Sequence, residues 1–286
     1  MIDLHVHTNQ SDGTLSPAEV VGLAARTGLK AIAVTDHDTV SGVAEALREG
    51  EKLGVEVVPG VELSVQAPWG ILHILGYFVD TSHPTLLDRL DYLKKARVER
   101  AAGIIEKLQS LNIRITLQEV CDEAGAGIPG RPHIARVMQR RKYVPELQIA
   151  FERYLGKGNP AYVPKRKLDP HEALRLIRSA GGLSVAAHPY SLLERGLEGL
   201  DRLLKELKPK GLHGLEVYYP KHTSKQTRAF RELAVKHDLV VTGGTDFHGA
   251  YKPEIELGVV NGRPPLPYSL LEEIKTRRRN LLSGAE

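Results

Sequence analysis

The chain has 286 residues, 42% hydrophobic and 26% charged, a formal net charge of +4 and a single cysteine, Cys121. This is the composition of a globular protein of one large α/β domain or two ordinary ones, and one cysteine excludes both a disulfide framework and a cysteine-built zinc site within the chain. No run approaches the ~18 apolar residues that would span a membrane, and a sequence pI near 9.0 suits an anionic substrate without demanding nucleic acid, so a cytoplasmic enzyme is expected.

The first stretch, Ile2 to Val6, alternates apolar and polar residues as a half-buried strand does, and it sets His5 and His7 on one face. Two imidazoles so placed can grip one metal ion, and Asp12 follows in the loop that ends at Gly13. Ser16-Pro17-Ala18-Glu19 then reads as a capped helix start, with Val20, Val21, Leu23 and Ala24 as its apolar face and Gly28 as its end. Residues 30–35 form a short strand leading into Asp36-His37-Asp38. A helix over 41–52 stops at Gly54, and a strand over 55–63, broken at Pro59-Gly60, ends at Glu62. These βαβ units predict a parallel sheet. Residues 70–79 make a further strand, with His73 among Ile71, Leu72, Ile74 and Leu75.

From 83 to 155 the pattern is helical: one long amphipathic helix carries Leu86 to Leu111, and shorter ones cover 117–123, 132–141 and 146–155. The alternation resumes with a helix begun by Asp169-Pro170-His171-Glu172 and a strand over 183–187 that ends at His188-Pro189. A helix over 197–207, a strand over 213–218, a helix over 224–237 and a strand over 239–242 follow. Gly243-Gly244-Thr245-Asp246-Phe247-His248 closes that strand, and a terminal helix is expected over 266–282. The reading is one catalytic α/β domain, 1–82 and 156–286, interrupted by a helical insertion, 83–155, that caps the active site.

Nearly every core strand therefore ends in a residue able to bind metal. In parallel α/β sheets function collects at the carboxyl ends of the strands, so such residues meet in space although scattered in sequence. Taken singly, His73 would ordinarily be a core histidine, His188 a turn residue and the Asp36–Asp38 run a helix cap. Their coincidence at strand ends points instead to a metal cluster. The set is His5, His7, His37, His73, His188, His248, Asp12, Glu62 and Asp246. These nitrogen and oxygen ligands suit Mn²⁺, Fe²⁺ or Zn²⁺, and they are too many for one ion.

His5-Val6-His7, Asp12-Gly13, Thr35-Asp36-His37-Asp38, Gly60-Val61-Glu62, His73, His188-Pro189 and Asp246-Phe247-His248 together resemble the PHP (polymerase and histidinol phosphatase) superfamily of metal-dependent phosphoesterases. The resemblance runs the length of the chain apart from the insertion, with all nine ligand positions filled. It implies a distorted (β/α)₇ barrel and a trinuclear centre, with Mn²⁺ preferred. One ion would be held by His5, His7, Glu62 and Asp246, a second by Glu62, His73 and His188, and a third by Asp12, His37 and His248. Asp36 and Asp38 would support these ligands or cap helices.

The chemistry implied is hydrolysis of a phosphomonoester by metal-bound hydroxide, with Glu62 and Asp246 at its centre. Arg131 and His133, in Gly130-Arg131-Pro132-His133, are the candidates for holding the substrate, with Lys165 beside them. His222, just after a strand, is a candidate both for substrate binding and for protonating the leaving group. Arg97 and Arg100 either face the site or solvate the long helix. The small stand-alone relatives implied by this layout take the 3′-phosphate from nucleoside 3′,5′-bisphosphates or trim short 5′-phosphorylated RNA from its 5′ end. Histidinol-phosphate phosphatase and a catalytically silent nucleotide-binding regulator are the other readings. The expected partner is a small phosphorylated nucleotide or short oligonucleotide, with no membrane and no obligate protein partner.

Overall fold

The computed structural model describes residues 1–260 and 266–284. Among them, seven strands follow one another round a single sheet in chain order: β1 (Ile2–Val6), β2 (Ala31–Val34), β3 (Glu56–Val65), β4 (Leu72–Tyr77), β5 (Leu183–Ala186), β6 (Gly214–Tyr218) and β7 (Val240–Gly243). The first and last strands meet through their extensions, where His7 N donates to Phe247 O at 3.0 Å and Asp246 N to His5 O at 2.8 Å. The result is the distorted, nearly closed barrel that the family resemblance implied.

Two expectations about the sheet are corrected. It is not wholly parallel, because β4 runs antiparallel to both β3 and β5. Only residues 66–71 join β3 to β4, too few for the crossover that parallel pairing needs. Nor is β3 broken at Pro59-Gly60. Residues 56–59 pair with β2 and residues 60–65 with β4, so this dipeptide marks a change of partner. Glycine is required there, since a Cβ on Gly60 would lie 2.8 Å from the carbonyl oxygen of Val34.

The barrel is dressed outside by α1 (Pro17–Arg26), α2 (Val43–Leu53), α7 (Pro170–Ser179), α8 (Gly196–Leu207) and α9 (Ser224–Lys236). Ser16 and Glu19 form the expected capping box on α1, and Gly54 ends α2 with φ 69°. Asp38 caps no helix, because Gly42 stands at the N-cap of α2. The last helix, α10 (Ser269–Ser283), packs Leu270, Leu271 and Ile274 against Ile2, Leu4 and Val240 of the barrel interior. One end of the barrel is thereby closed, and the mouth at the carboxyl ends of most strands is left for the site.

The insertion has a core of its own. Ala101, Ile104, Ile105 and Leu108 of α3 (Pro84–Ser110) pack with Val120 of α4 (Leu117–Ala124), Ile134 and Met138 of α5 (Arg131–Arg140) and Ala150 of α6 (Leu147–Ala150). The amino-terminal half of α3 instead joins the barrel core through Leu86, Leu90 and Leu93. One helix thus belongs to both cores. Among the described residues, no helix is long and apolar enough to cross a membrane.

Candidate metal centre

The site begins with an irregularity in β1. The register against β2 shifts between Asp3 and Val6, so β1 carries one extra residue there. Ile2 and Leu4 pack in the inner cluster with Leu75 and Tyr77, whereas Val6 packs in the outer one. Strict alternation from Leu4 would turn His5 outward. The bulge lets His5 follow Leu4 inward, and His7 then keeps the same face.

Glu62 is the hub. Its Oε2 lies 3.3 Å from His5 Nε2, 3.2 Å from His7 Nε2 and 3.0 Å from His37 Nδ1. Its Oε1 lies 2.7 Å from His73 Nδ1 and 3.0 Å from His188 Nε2. Asp246 Oδ1 is 3.1 Å from His7 Nε2, and His248 Nε2 is 3.4 Å from Asp12 Oδ1. Three overlapping groups emerge whose ligand atoms lie within 4.8 Å of one another: His5-His7-Glu62-Asp246, His37-Glu62-His73 and His7-Asp12-His37-His248. All nine residues singled out in the sequence are brought together.

The chemistry of these donors fits a metal. His5 Nε2, His7 Nε2, His37 Nδ1, Asp12 Oδ1 and Glu62 Oε2 are buried and have no hydrogen-bond partner among the described residues. Leaving five such atoms unsatisfied is costly in a protein interior, and divalent cations would satisfy all of them. The opposite ring atoms are tied down. His5 Nδ1 meets Glu216 Oε1 at 2.9 Å, and His248 Nδ1 donates to the carbonyl of Asp246 at 2.7 Å. Such contacts fix the ring and aim the other nitrogen at the metal. Asp36 acts in the same spirit, accepting from Thr8 N, Thr8 Oγ1 and Ser11 Oγ at 2.6–2.8 Å and so fixing the loop that presents Asp12.

Protons compete for these ligands. Burial opposes a charge on His7, but the Asp246 and Glu62 carboxylates beside it prevail and push it up to about 9. His5 is likewise raised well above the usual histidine range, against burial, by Glu216 and Glu62. Burial would raise Glu62 too, yet His37, His73 and His5 hold it well below the usual carboxylate range. Below pH ~9 the metal-free His7 therefore carries a proton that a metal must expel. Each displaced proton changes apparent affinity about tenfold per pH unit. Raising the pH from 6.5 to 7.5 is expected to tighten metal binding by about a hundredfold if His5 and His7 both exchange a proton. Competition titrations against a chromophoric chelator at the two pH values measure this, and a pH-independent affinity would contradict the proton count.

A cavity of about 490 Å³ opens off the ligand cluster at Asp12, His37 and His73, and six cations line it: Arg97, Arg100, Arg131, Lys157, Lys165 and Lys167. Burial and its neighbour Arg131 push Arg100 down to about 10, and burial with Arg97 pushes Lys165 down to about 8. So much positive charge in one pocket is stable only with an anion beside it. Arg97 donates to His37 O at 3.0 Å, and Lys165 pairs with Asp38 at 2.9 Å, tying the cations to the segment that carries His37. Arg131 donates to Leu155 O at 3.1 Å and lies over the ring of Phe151. Of the alternatives open for Arg97 and Arg100, the one found is that both face the site.

Two residues named from the sequence are placed elsewhere. His133 is buried on α5, where its Nδ1 accepts from Gly130 N at 3.1 Å and its ring meets the edge of Tyr251. His222 lies behind Tyr219, with Nδ1 on Val217 O at 2.9 Å and its ring against Phe230. A turn bonding His222 N to Tyr219 O folds it back from the mouth. Neither lines the cationic cavity or the one that holds Glu62 and Asp246. Conversely, the sequence reading passed over Glu216, Tyr219 and Lys252. Tyr219 OH and Lys252 Nζ both reach Asp246 Oδ2, at 2.8 and 2.7 Å, leaving Oδ1 to the imidazoles.

Comparison with known proteins agrees with this geometry. The PHP domain model matches residues 3–95. The 3′,5′-nucleoside bisphosphate phosphatase of Chromobacterium violaceum is 31% identical over 281 residues, covering 96% of this chain and 97% of the relative. The 5′-3′ exoribonuclease of Haemophilus influenzae is 34% identical over 249 residues, covering 86% of this chain and 89% of the relative. The crystal structure of a Bifidobacterium adolescentis protein classed as a metal-dependent phosphoesterase superposes with a TM-score of 0.84 at 31% identity, over 96% of both chains.

Proposed function

The chain belongs to the PHP family of metal-dependent phosphoesterases, and from that premise we propose that it removes the 3′-phosphate of nucleoside 3′,5′-bisphosphates. In this reading the eight residues of the three groups already described, with His188 beside Glu62, hold three divalent ions, Mn²⁺ before Fe²⁺ or Zn²⁺. Ions held there supply activated water near neutral pH and neutralise charge on the phosphoryl oxygens. The chain's own part is to bind and orient. Glu62 and Asp246 fix the geometry of the cluster, while Arg131 and Lys165 hold the phosphate that is not cleaved. Location in the cytoplasm and action without a protein partner complete the proposal.

The observation that carries it is the cationic cavity joined to the ligand cluster. A substrate with one phosphate needs only the cluster, whereas a substrate with two uses both. Arg131 and Arg100 can fork onto phosphate oxygens, which a lone surface lysine cannot. Six cations also disfavour histidinol phosphate, whose amine would be repelled.

Phosphate release from nucleoside 3′,5′-bisphosphate, nucleoside 3′-monophosphate and histidinol phosphate, measured on Mn²⁺-loaded protein, tests the proposal. The bisphosphate is expected to be the best substrate. Arg131→Ala should raise its KM about tenfold or more, with a smaller change in kcat, because a charged hydrogen bond to the distal phosphate is lost. Equal turnover of histidinol phosphate, or no release from any of the three, would defeat this reading.

A further inference from the structure

Lys252 carries more hydrogen-bond donors than the ligand cluster uses. Asp246 turns Oδ1 to His7 Nε2 at 3.1 Å, while its Oδ2 accepts from Tyr219 OH at 2.8 Å and from Lys252 Nζ at 2.7 Å. A tyrosine hydroxyl has one proton and spends it there, whereas an ammonium has three. Among the described residues, Asp246 is the one partner of Lys252 Nζ, and the lysine side chain is 30% exposed. A second cavity, of about 370 Å³, is lined by Glu62, His188, Asp246, His248 and Lys252 itself. The donors left over thus open on the cavity that the metal ligands line.

A built turn holds the lysine there. Lys252 N donates to Gly249 O at 3.0 Å, closing a turn directly after His248. Thr14 Oγ1 accepts from Ala250 N at 2.9 Å and Thr14 N donates to His248 O at 3.2 Å, pinning that turn to the loop that presents Asp12. Gly249 has φ 64°, and a Cβ on it would run into Thr14 Oγ1, so only glycine suits the turn. Lys252 also stands apart from the six cations of the first cavity. Arg97 and Lys165 bond His37 O and Asp38, in the segment after β2, whereas Lys252 follows β7. A phosphate at the cluster therefore has cations on two sides. An ion pair this exposed adds little to stability, so folding alone gives a weak reason for a lysine at this place.

Resting on the hydrolysis proposed above, we propose that Lys252 is a catalytic residue that bridges Asp246 Oδ2 and a non-bridging oxygen of the phosphate being cleaved. In that reaction the oxygen of water bonds to phosphorus and the P–O3′ bond breaks. One proton of the water ends on O3′ and the other stays on the phosphate released. Lys252 neither gives nor takes a proton. Its part is a fixed positive charge and a hydrogen bond aimed at an oxygen whose charge must be stabilised while phosphorus is transferred. Asp246 holds the ammonium by one donor and so leaves the others to the substrate.

The test sets Lys252→Met and Lys252→Arg beside the parent, each as the full chain. Three quantities are measured: Mn²⁺ affinity, calorimetric binding of orthovanadate to the Mn²⁺-loaded protein, and turnover of a nucleoside 3′,5′-bisphosphate. Methionine keeps the length and removes the charge, and Tyr219 still bonds Asp246 Oδ2 in that variant. Lys252→Met is expected to lower kcat about a hundredfold or more with a much smaller change in KM. Orthovanadate, which adopts the five-coordinate shape of the transition state, should bind at least about tenfold more weakly, while Mn²⁺ affinity stays near the parental value. Lys252→Arg keeps the charge and should recover part of both losses. Parental kcat in Lys252→Met would overturn the proposal. So would a loss that saturating Mn²⁺ restores, because Lys252 would then act only through Asp246. A parent that ignores the bisphosphate would defeat the functional reading instead. Orthovanadate would then still decide for the lysine, with weaker binding to Lys252→Met supporting it and equal binding overturning it.

Discussion

Glu62→Ala is expected to abolish phosphoester hydrolysis, by about a thousandfold or more, and to leave the purified protein short of metal. No other side chain in the cluster touches as many ligands. One carboxylate meets His5, His7 and His37 through Oε2 and His73 and His188 through Oε1, all within 3.3 Å. It belongs to two of the three ligand groups, so its loss weakens two ion positions at once. The hole left by alanine is lined by imidazoles that repel one another when protonated. Glu62→Gln separates the charge from the shape, since the amide fills the same space and keeps one acceptor oxygen. It should bind metal less tightly than the parent and better than alanine. Elemental analysis beside turnover of the best substrate decides the matter, and parental metal content with parental activity in Glu62→Ala would sink the assignment.

The candidate ligands stood out in the sequence because metal binding restricts residue type at strand ends, and the structure brings them together. Histidine is an expensive choice on or just past a core strand unless it coordinates, and six such choices do not coincide by accident. What stayed hidden depended on contacts between distant segments. His5 and His7 share a parity that a sequence displays, but the bulge that turns both inward exists only because β1 pairs with β2. The direction of β4 follows from the shortness of the 66–71 connection, a local departure from the βαβ rhythm around it. Arg97 and Arg100 lie one turn apart on α3, yet which way they face depends on how that helix docks against the mouth. His222 sits just past a strand end, as the ligands do, and one backbone turn takes it behind Tyr219.

Glu216 supports the cluster from behind. A lone glutamate between Leu215 and Val217, in a strand whose neighbours are buried, is the same kind of signal that drew attention to His73. Its side chain is fully buried, and both oxygens are engaged: Oε1 with His5 Nδ1 at 2.9 Å and Oε2 with the backbone N–H of His188 at 2.6 Å. One carboxylate therefore orients a ligand on β1 and anchors the chain where it leaves β5. The second contact matters because His188 has φ 29°, an unfavourable backbone conformation for a side chain of that size, and a strong bond to its N–H helps hold it there.

Glu216→Ala removes an oxygen from His5 and from His188 N together. The ring of His5 is then free to rotate or change tautomer, and a buried N–H loses its acceptor. Metal affinity is expected to fall about 10- to 100-fold, the usual cost of removing a group that orients a ligand. Stability of the metal-free protein should drop by about 3 kcal/mol, because breaking a buried, hydrogen-bonded charge pair leaves its partner uncompensated. Glu216→Gln has nearly the same shape but must turn its amide nitrogen toward His5 or His188 N. Facing His188 N it would set donor against donor. Facing His5 it would force that ring to present an acceptor at Nδ1 and so a proton at Nε2, the nitrogen needed for metal. Glutamine should therefore recover part of the stability and little of the metal affinity. Urea unfolding of the metal-free variants, paired with metal titration of each, separates the two effects. If glutamine restored the parental affinity, Glu216 would be a packing group and the orientation of His5 would have to come from elsewhere in the cluster.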